Sequence, residues 1–265
     1  MRTSAYPPLP ILRLFCRRAP PLNRFAFLSL LLVGWLAMAE RSRAVPLYTL
    51  DAPPLSFLTP HPAGRGEVGD VVIEALARAG YQAELRGEPW ARAQKTVSEG
   101  QDLLIMPLTR TPGREASFTW VAPIMTIERA FFSLTRQVDS FEEARTTFRQ
   151  IGVGQGSAQY EALIRQGFRE EHISEILIGD NPARMLELGR IDAWFNGVEE
   201  SRYIWRGQAR QPLLMGRPVL KEELYLACSK QCDPALVEQV RQALDGMRRD
   251  GSLERLQNAY RIEPR

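Results

Sequence analysis

The chain has 265 residues, 34 of them basic and 31 acidic, but residues 1–39 hold five arginines and no acid. The remainder therefore carries 29 basic against 31 acidic residues, a net charge of −2, which excludes any argument for a nucleic-acid partner from bulk charge. About 220 residues remain, enough for two modest lobes or one larger domain.

The first segment reads as an export signal. Arg13, Arg17, Arg18 and Arg24 precede FAFLSLLLVGWLAMA at 25–39, a run of 15 uncharged residues that ends in Ala37-Met38-Ala39. That is short for a membrane span of about 20 residues and closes on a small-x-small cleavage site, so removal of 1–39 is expected, with a second possible cut at Ala44. Cleavage would discard Cys16 and leave Cys228 and Cys232. In an oxidising compartment these two are expected to pair, against the readings of two free thiols or half a metal site; neither His61 nor His172 lies beside them.

The elements then follow in order. Residues 47–50 read as a strand leaving into the proline-stiffened loop from Asp51 to Phe57, and Val72, Ala75, Leu76 and Ala79 predict a helix over 69–79 that Gly80 ends. A strand over 82–86 and a helix over 90–99 lead to a buried strand, 103–108, which empties into the Thr-rich loop holding Arg114. This β-α-β-α-β order calls for a parallel sheet. The pattern restarts with strands at 130–135 and 151–153, a helix after Ser157, a strand at 175–178, and a short helix entered at Asn181-Pro182. A strand at 191–195 and a helix over 199–205 complete the second unit. Then come a strand at 224–228, a long helix opened by Asp233-Pro234, and a last helix from Ser252.

Ligands of open α/β sheets sit beyond the carboxyl ends of the strands, and an arginine there suits a carboxylate because its planar fork matches two oxygens. Arg114 is the candidate anchor; a solvated turn arginine is the alternative. Gly152-Val153-Gly154-Gln155-Gly156-Ser157 reads as an anion-facing helix start, since Ser157 breaks the dinucleotide spacing. Trp90 is a candidate aromatic wall or a core residue, and Arg92 a second anion contact or a solvated face. Asp51 and Asn196 are candidate polar contacts. No nucleophile and base pair stands out, so an enzyme is not visible, and no cofactor or metal is implied.

Several motifs resemble, in order, those of periplasmic solute-binding proteins of ABC importers, specifically family 3, the polar amino acid group. They are Pro54-Leu55-Ser56-Phe57, Gly69-Asp70-Val71-Val72, Gly100-Gln101-Asp102, Thr109-Arg110-Thr111-Pro112-Gly113-Arg114-Glu115, Gly152 to Ser157, Gly189-Arg190-Ile191-Asp192-Ala193 and Asp250-Gly251-Ser252-Leu253. The resemblance implies an α/β, two-lobed Venus flytrap of type II with two hinge crossovers. Lobe 1 would take 45–127 and 222–265, lobe 2 would take 128–221, and the crossovers would lie near 126–129 and 219–223.

It further implies that Arg114, helped by Thr109, grips a ligand carboxylate, that Gly156-Ser157-Ala158 donates to it, and that the loop around Ala52 and Trp90 wall the pocket. The implied protein is a periplasmic, monomeric receptor that hands a carboxylate-bearing small molecule to a membrane permease. One departure matters: Gly197 stands where the family's aspartate meets the ligand ammonium, so Glu199 or Asp51 would have to substitute. Ala158 stands where the family usually has a threonine, and the aromatic residue that the resemblance implies near Ala52 is absent. An exported cyclohexadienyl-dehydratase-like enzyme and a sensing protein without a transporter remain alternatives.

Overall fold

The computed structural model describes residues 42–178, 180–208 and 211–260. The expected signal segment and Cys16 lie outside them. The strands are β1 (Arg43–Thr49), β2 (Tyr81–Gly87), β3 (Leu104–Thr109), β4 (Phe118–Ser133), β5 (Ile151–Gly154), β6 (Ile173–Ile176), β7 (Ala193–Gly197), β8 (Leu214–Met215) and β9 (Leu220–Ser229). The helices are α1 (Glu67–Arg78), α2 (Trp90–Glu99), α3 (Phe141–Thr147), α4 (Ala158–Arg165), α5 (Pro182–Glu187), α6 (Val198–Gln208), α7 (Pro234–Arg249) and α8 (Ser252–Asn258).

Each long helix forms because its apolar residues share one face. On α1 these are Val68, Val71, Val72, Ala75 and Leu76, and on α7 they are Leu236, Val240, Leu244 and Met247. Asp233 caps α7 by accepting from the Ala235 amide, with Pro234 in the first turn, where its missing donor costs nothing. Strand β3 is buried along its whole length, as a strand covered on both faces must be.

All the strands join one sheet in the order β2-β1-β3-β9-β4-β7-β5-β6, with β8 on β4. The first β-α-β-α-β unit gives the expected parallel pairing, β1 with β2 and β3, and β5 likewise pairs in parallel with β6 and β7; the whole sheet is mixed because β4 and β9 run antiparallel to their neighbours. Strand β4 begins at Phe118, twelve residues before the expected strand at 130. Residues 126–129 and 220–223, near the expected crossovers, pair with each other, Thr126 opposite Glu223 and Arg129 opposite Leu220.

Alternation along the strands builds two cores on each half of the sheet. Leu104 and Met106 face α1 and α7, while Ile105 and Leu108 join Trp90, Ala93 and Val97 of α2 on the other side. Ile105 and Leu108 share a face although three apart, because the β3–β9 register shifts between them. In the other half Phe131 and Phe195 pack with Phe148 and Leu163, whereas Phe132 and Trp194 face Ile176 and Leu186. Asn196, two residues beyond Trp194, is thereby placed on the Trp194 face.

Cys228 and Cys232 are joined by a disulfide with their Cα atoms 6.0 Å apart, tying the end of β9 to the approach to α7. No described helix is long and apolar enough to cross a membrane.

Candidate functional site

Two hollows with shared walls lie at the strand ends. The outer, about 290 Å³, is lined by Leu50, Asp51 and Pro53 from the loop after β1, by Ile178 and Asp180, and by Asn196 and Glu200 from β7 and α6. The inner, about 60 Å³, adds Trp90, Pro107 and Arg129. Ala52, Ser157, Gln159 and Glu200 line both. The walls therefore come from both halves of the sheet.

Arg114 is 7% exposed, and its fork is already engaged. Nη1 donates to the Thr109 carbonyl at 3.1 Å, Nη2 to the Gly156 carbonyl at 2.9 Å, and Nε lies 3.2 Å from a Glu161 carboxylate oxygen. Burial lowers its pKa, Glu161 opposes that shift and Arg129 adds to it. The loop is closed around it by Arg110, which forks onto Glu115 at 2.9 and 2.5 Å and stacks over Trp120 and Tyr225. Arg114 lines a separate open cleft with Gln94 and Glu161, and Ser157 borders that cleft as well as both hollows.

The Gly156 turn explains the approach. Gly156 has φ of +70°, and a Cβ built there would sit 3.0 Å from that of Ala91 on α2, so a residue without a side chain is required. Its carbonyl accepts from both Arg114 and Gln94, the latter at 2.8 Å. Ser157 follows as the residue before α4, yet its hydroxyl makes no capping bond. That hydroxyl is buried and has no protein partner.

The remaining expected residues separate cleanly. Thr109 is buried; its hydroxyl accepts from Arg129 Nη2 at 3.1 Å. Trp90 is both core and wall, packing with Leu50 and Ile105 while edging the inner hollow. Asn196 is buried, accepts from Gln159 Nε2 at 2.8 Å and faces the outer hollow. Asp51 lines that hollow too, with one oxygen taken by the Leu58 amide at 2.7 Å. Arg92 is exposed and lines none of these three depressions, because α2 buries the face of Trp90, Ala93 and Val97 and Arg92 falls off it. Glu199, the expected substitute acid, is exposed and pairs with Arg202 at 3.4 Å.

Two charged residues in the site escaped the motif reading. Arg129, 3% exposed, pairs with Glu222 at 2.6 Å across β4 and β9. Glu200 is half-buried, and burial pushes its carboxyl up to about 7, with Arg129 opposing and Glu67 adding. A Cβ built on Gly197 would run into the Glu200 carboxylate and come within 2.7 Å of Ile127 Cδ1. The space that a side chain at 197 would fill is therefore taken by an acid from the next helical turn.

In fold the chain is similar to an ancestral arginine-binding protein bound to arginine, with a TM-score of 0.70 at 16% identity, covering 82% of this chain and 97% of that one. It is similar to a histidine kinase sensor domain with similarity to periplasmic binding proteins, at TM-score 0.72 and 17% identity over 83% and 96% of the two chains. It is likewise similar to an ABC uptake transporter substrate-binding protein from Streptococcus pneumoniae with bound histidine, at 0.70 and 14% over 82% and 92%. These likenesses establish the two-lobed periplasmic-binding-protein fold. Comparison with curated proteins finds no match. The model of the bacterial extracellular solute-binding proteins, family 3, matches residues 47–263, and the chain belongs to that family.

Proposed function

We propose that this protein is a periplasmic receptor that captures a small carboxylate-bearing molecule, an amino acid or a related compound, and presents it to the permease of an ABC importer. The observation that carries the reading is the Ser157 hydroxyl, buried and without a protein partner where the Arg114 cleft meets the hollows. Leaving such a donor unmade costs about 1–3 kcal/mol, which a ligand oxygen would recover. Arg114 is the proposed charge partner of the carboxylate, taking it in exchange for Glu161; Thr109, Trp90, Asp51 and Asn196 shape the site. Lobe 1 is assigned 45–127 with 222–265, and lobe 2 is assigned 128–221. The export signal at 1–39 supports the location, and the receptor is proposed to act as a monomer.

A thermal-shift screen tests this. The twenty L-amino acids, their 2-hydroxy analogues and small dicarboxylates are offered to the purified protein. A true ligand at 100 times its Kd stabilises the fold by about 2.7 kcal/mol, a rise of several degrees in Tm. Arg114→Ala is expected to weaken that ligand about tenfold or more, as lost charged hydrogen bonds do. Unchanged affinity would remove the carboxylate anchor.

A further inference from the structure

Helix α6 presents two working faces. Glu200 and Ile204, one turn apart, line the outer hollow, whereas Arg202, Trp205 and Arg206 border a separate groove of about 340 Å³. The rest of that groove is apolar, lined by Phe132 of β4, Leu213 and Met215. Arg202 and Arg206 are exposed. Trp205 is half-buried and its Nε1 donates to the Gln211 carbonyl at 2.9 Å, so its polar edge is satisfied and its ring is left to the groove. The sequence concentrates positive charge in this stretch. From Arg202 to Lys221 it holds four arginines, one lysine and no acid, while the rest of 40–265 holds 24 basic and 31 acidic residues, a net charge of −7. Two acids from outside the stretch reach it: Glu199 pairs with Arg202 at 3.4 Å, and Asp139 with Arg217 at 3.5 Å.

We propose that this groove is a docking surface for the anionic phospholipid headgroups of a bilayer. Arginine forks onto phosphate oxygens, and its guanidinium is weakly hydrated enough to enter the headgroup region. Tryptophan settles at the same depth, where one end of its ring meets water and the other meets acyl chains. The apolar lining between the two arginines suits the first methylenes beneath a headgroup, which a purely acidic peptide does not offer. Charge complementarity extends to the whole molecule: an anionic surface attracts the stretch from Arg202 to Lys221 and repels the net-negative remainder, which fixes the side that approaches. The pairs with Glu199 and Asp139 lie at exposed arginines and are worth little, so phosphates replace those acids at small cost. The proposal goes beyond the receptor reading and holds whatever ligand the hollows take.

The test uses protein exported by an expressing bacterium and purified from its periplasm, with the mass confirming that the apolar segment 25–39 is gone. Sucrose-loaded vesicles of phosphatidylglycerol and phosphatidylcholine in equal parts are compared by sedimentation with vesicles of phosphatidylcholine alone. Wild type is expected to sediment with the anionic vesicles only and to be released at high ionic strength. The double change Arg202→Gln with Arg206→Gln should weaken partitioning about thirtyfold, about fivefold for each base lost near the surface, and both side chains are exposed, so the fold is kept. Arg86→Gln with Arg255→Gln makes the same change in net charge at exposed positions outside the groove and should weaken it far less. No sedimentation with anionic vesicles, equal sedimentation with both kinds, or an equal loss in the two double variants overturns the proposal. So does capture of soluble polyglutamate in place of vesicles, which would give the groove to an acidic protein segment, or a dimer in light scattering that the groove variant dissolves. None of these results bears on the receptor reading, which rests on stabilisation by a small molecule.

Discussion

Adjacent residues on a helix point about 100° apart, and Glu199 and Glu200 show the consequence. One meets Arg202 in solvent and the other enters the site, although both are the same residue type at the start of α6. Raising the Glu200 carboxyl to about 7 from an ordinary value near 4.5 has a stability cost with a definite sign. The unfolded chain ionises it first, so its favourable share is full below about pH 4.5 and is lost as pH rises toward 7. Ligand-free wild type is therefore expected to lose on the order of 2–3 kcal/mol from this group between pH 4.5 and 8, and Glu200→Gln to lack that slope. Tm measured across the range decides it; parallel profiles for the two proteins would place the shift elsewhere. Position 200 was illegible in the sequence because nothing there distinguishes which of two glutamates turns inward. The burial of Arg114 and its engagement by Glu161, forty-seven residues away, were not legible, because the sequence offers only a turn arginine after a buried strand.

At the scale of elements, helices were read well and the central antiparallel strands poorly. Spacing alone located α1, α2 and α7, because a 3.6-residue period leaves a clear apolar face. The first twelve residues of β4, FTWVAPIMTIER, hide their character: Pro123 interrupts them, register shifts on both sides of that proline break the alternation, and Arg129 reads as an exposed charge. Its burial depends on Glu222, which only the β4–β9 pairing brings near. Strand β8, two residues long, is too short to show a period. The Arg129–Glu222 pair makes the element-scale prediction. Glu222→Ala strands a buried guanidinium and is expected to cost about 3–5 kcal/mol in urea denaturation, whereas the double change Arg129→Met with Glu222→Leu should recover most of it. A Glu222→Ala variant as stable as wild type would show that water reaches Arg129.

Across the whole molecule, the order of motifs from Pro54 to Leu253 made the architecture readable, while the site depended on contacts between distant segments. Ser157 borders the Arg114 cleft and both hollows because the turn after β5 lies against α2. The two crossovers carry a final consequence. Residues 126–129 and 220–223 share one ladder of hydrogen bonds, so under the two-lobe assignment proposed above they bend together as a leaf spring rather than swing as two loose tethers. Such a joint confines opening to a narrow set of directions and returns the lobes along the same track. Amide exchange at 126–129 is thus expected to stay slow whether ligand is present or not, while the Gly156 turn gains protection on binding; fast exchange at both crossovers would describe a slack hinge instead.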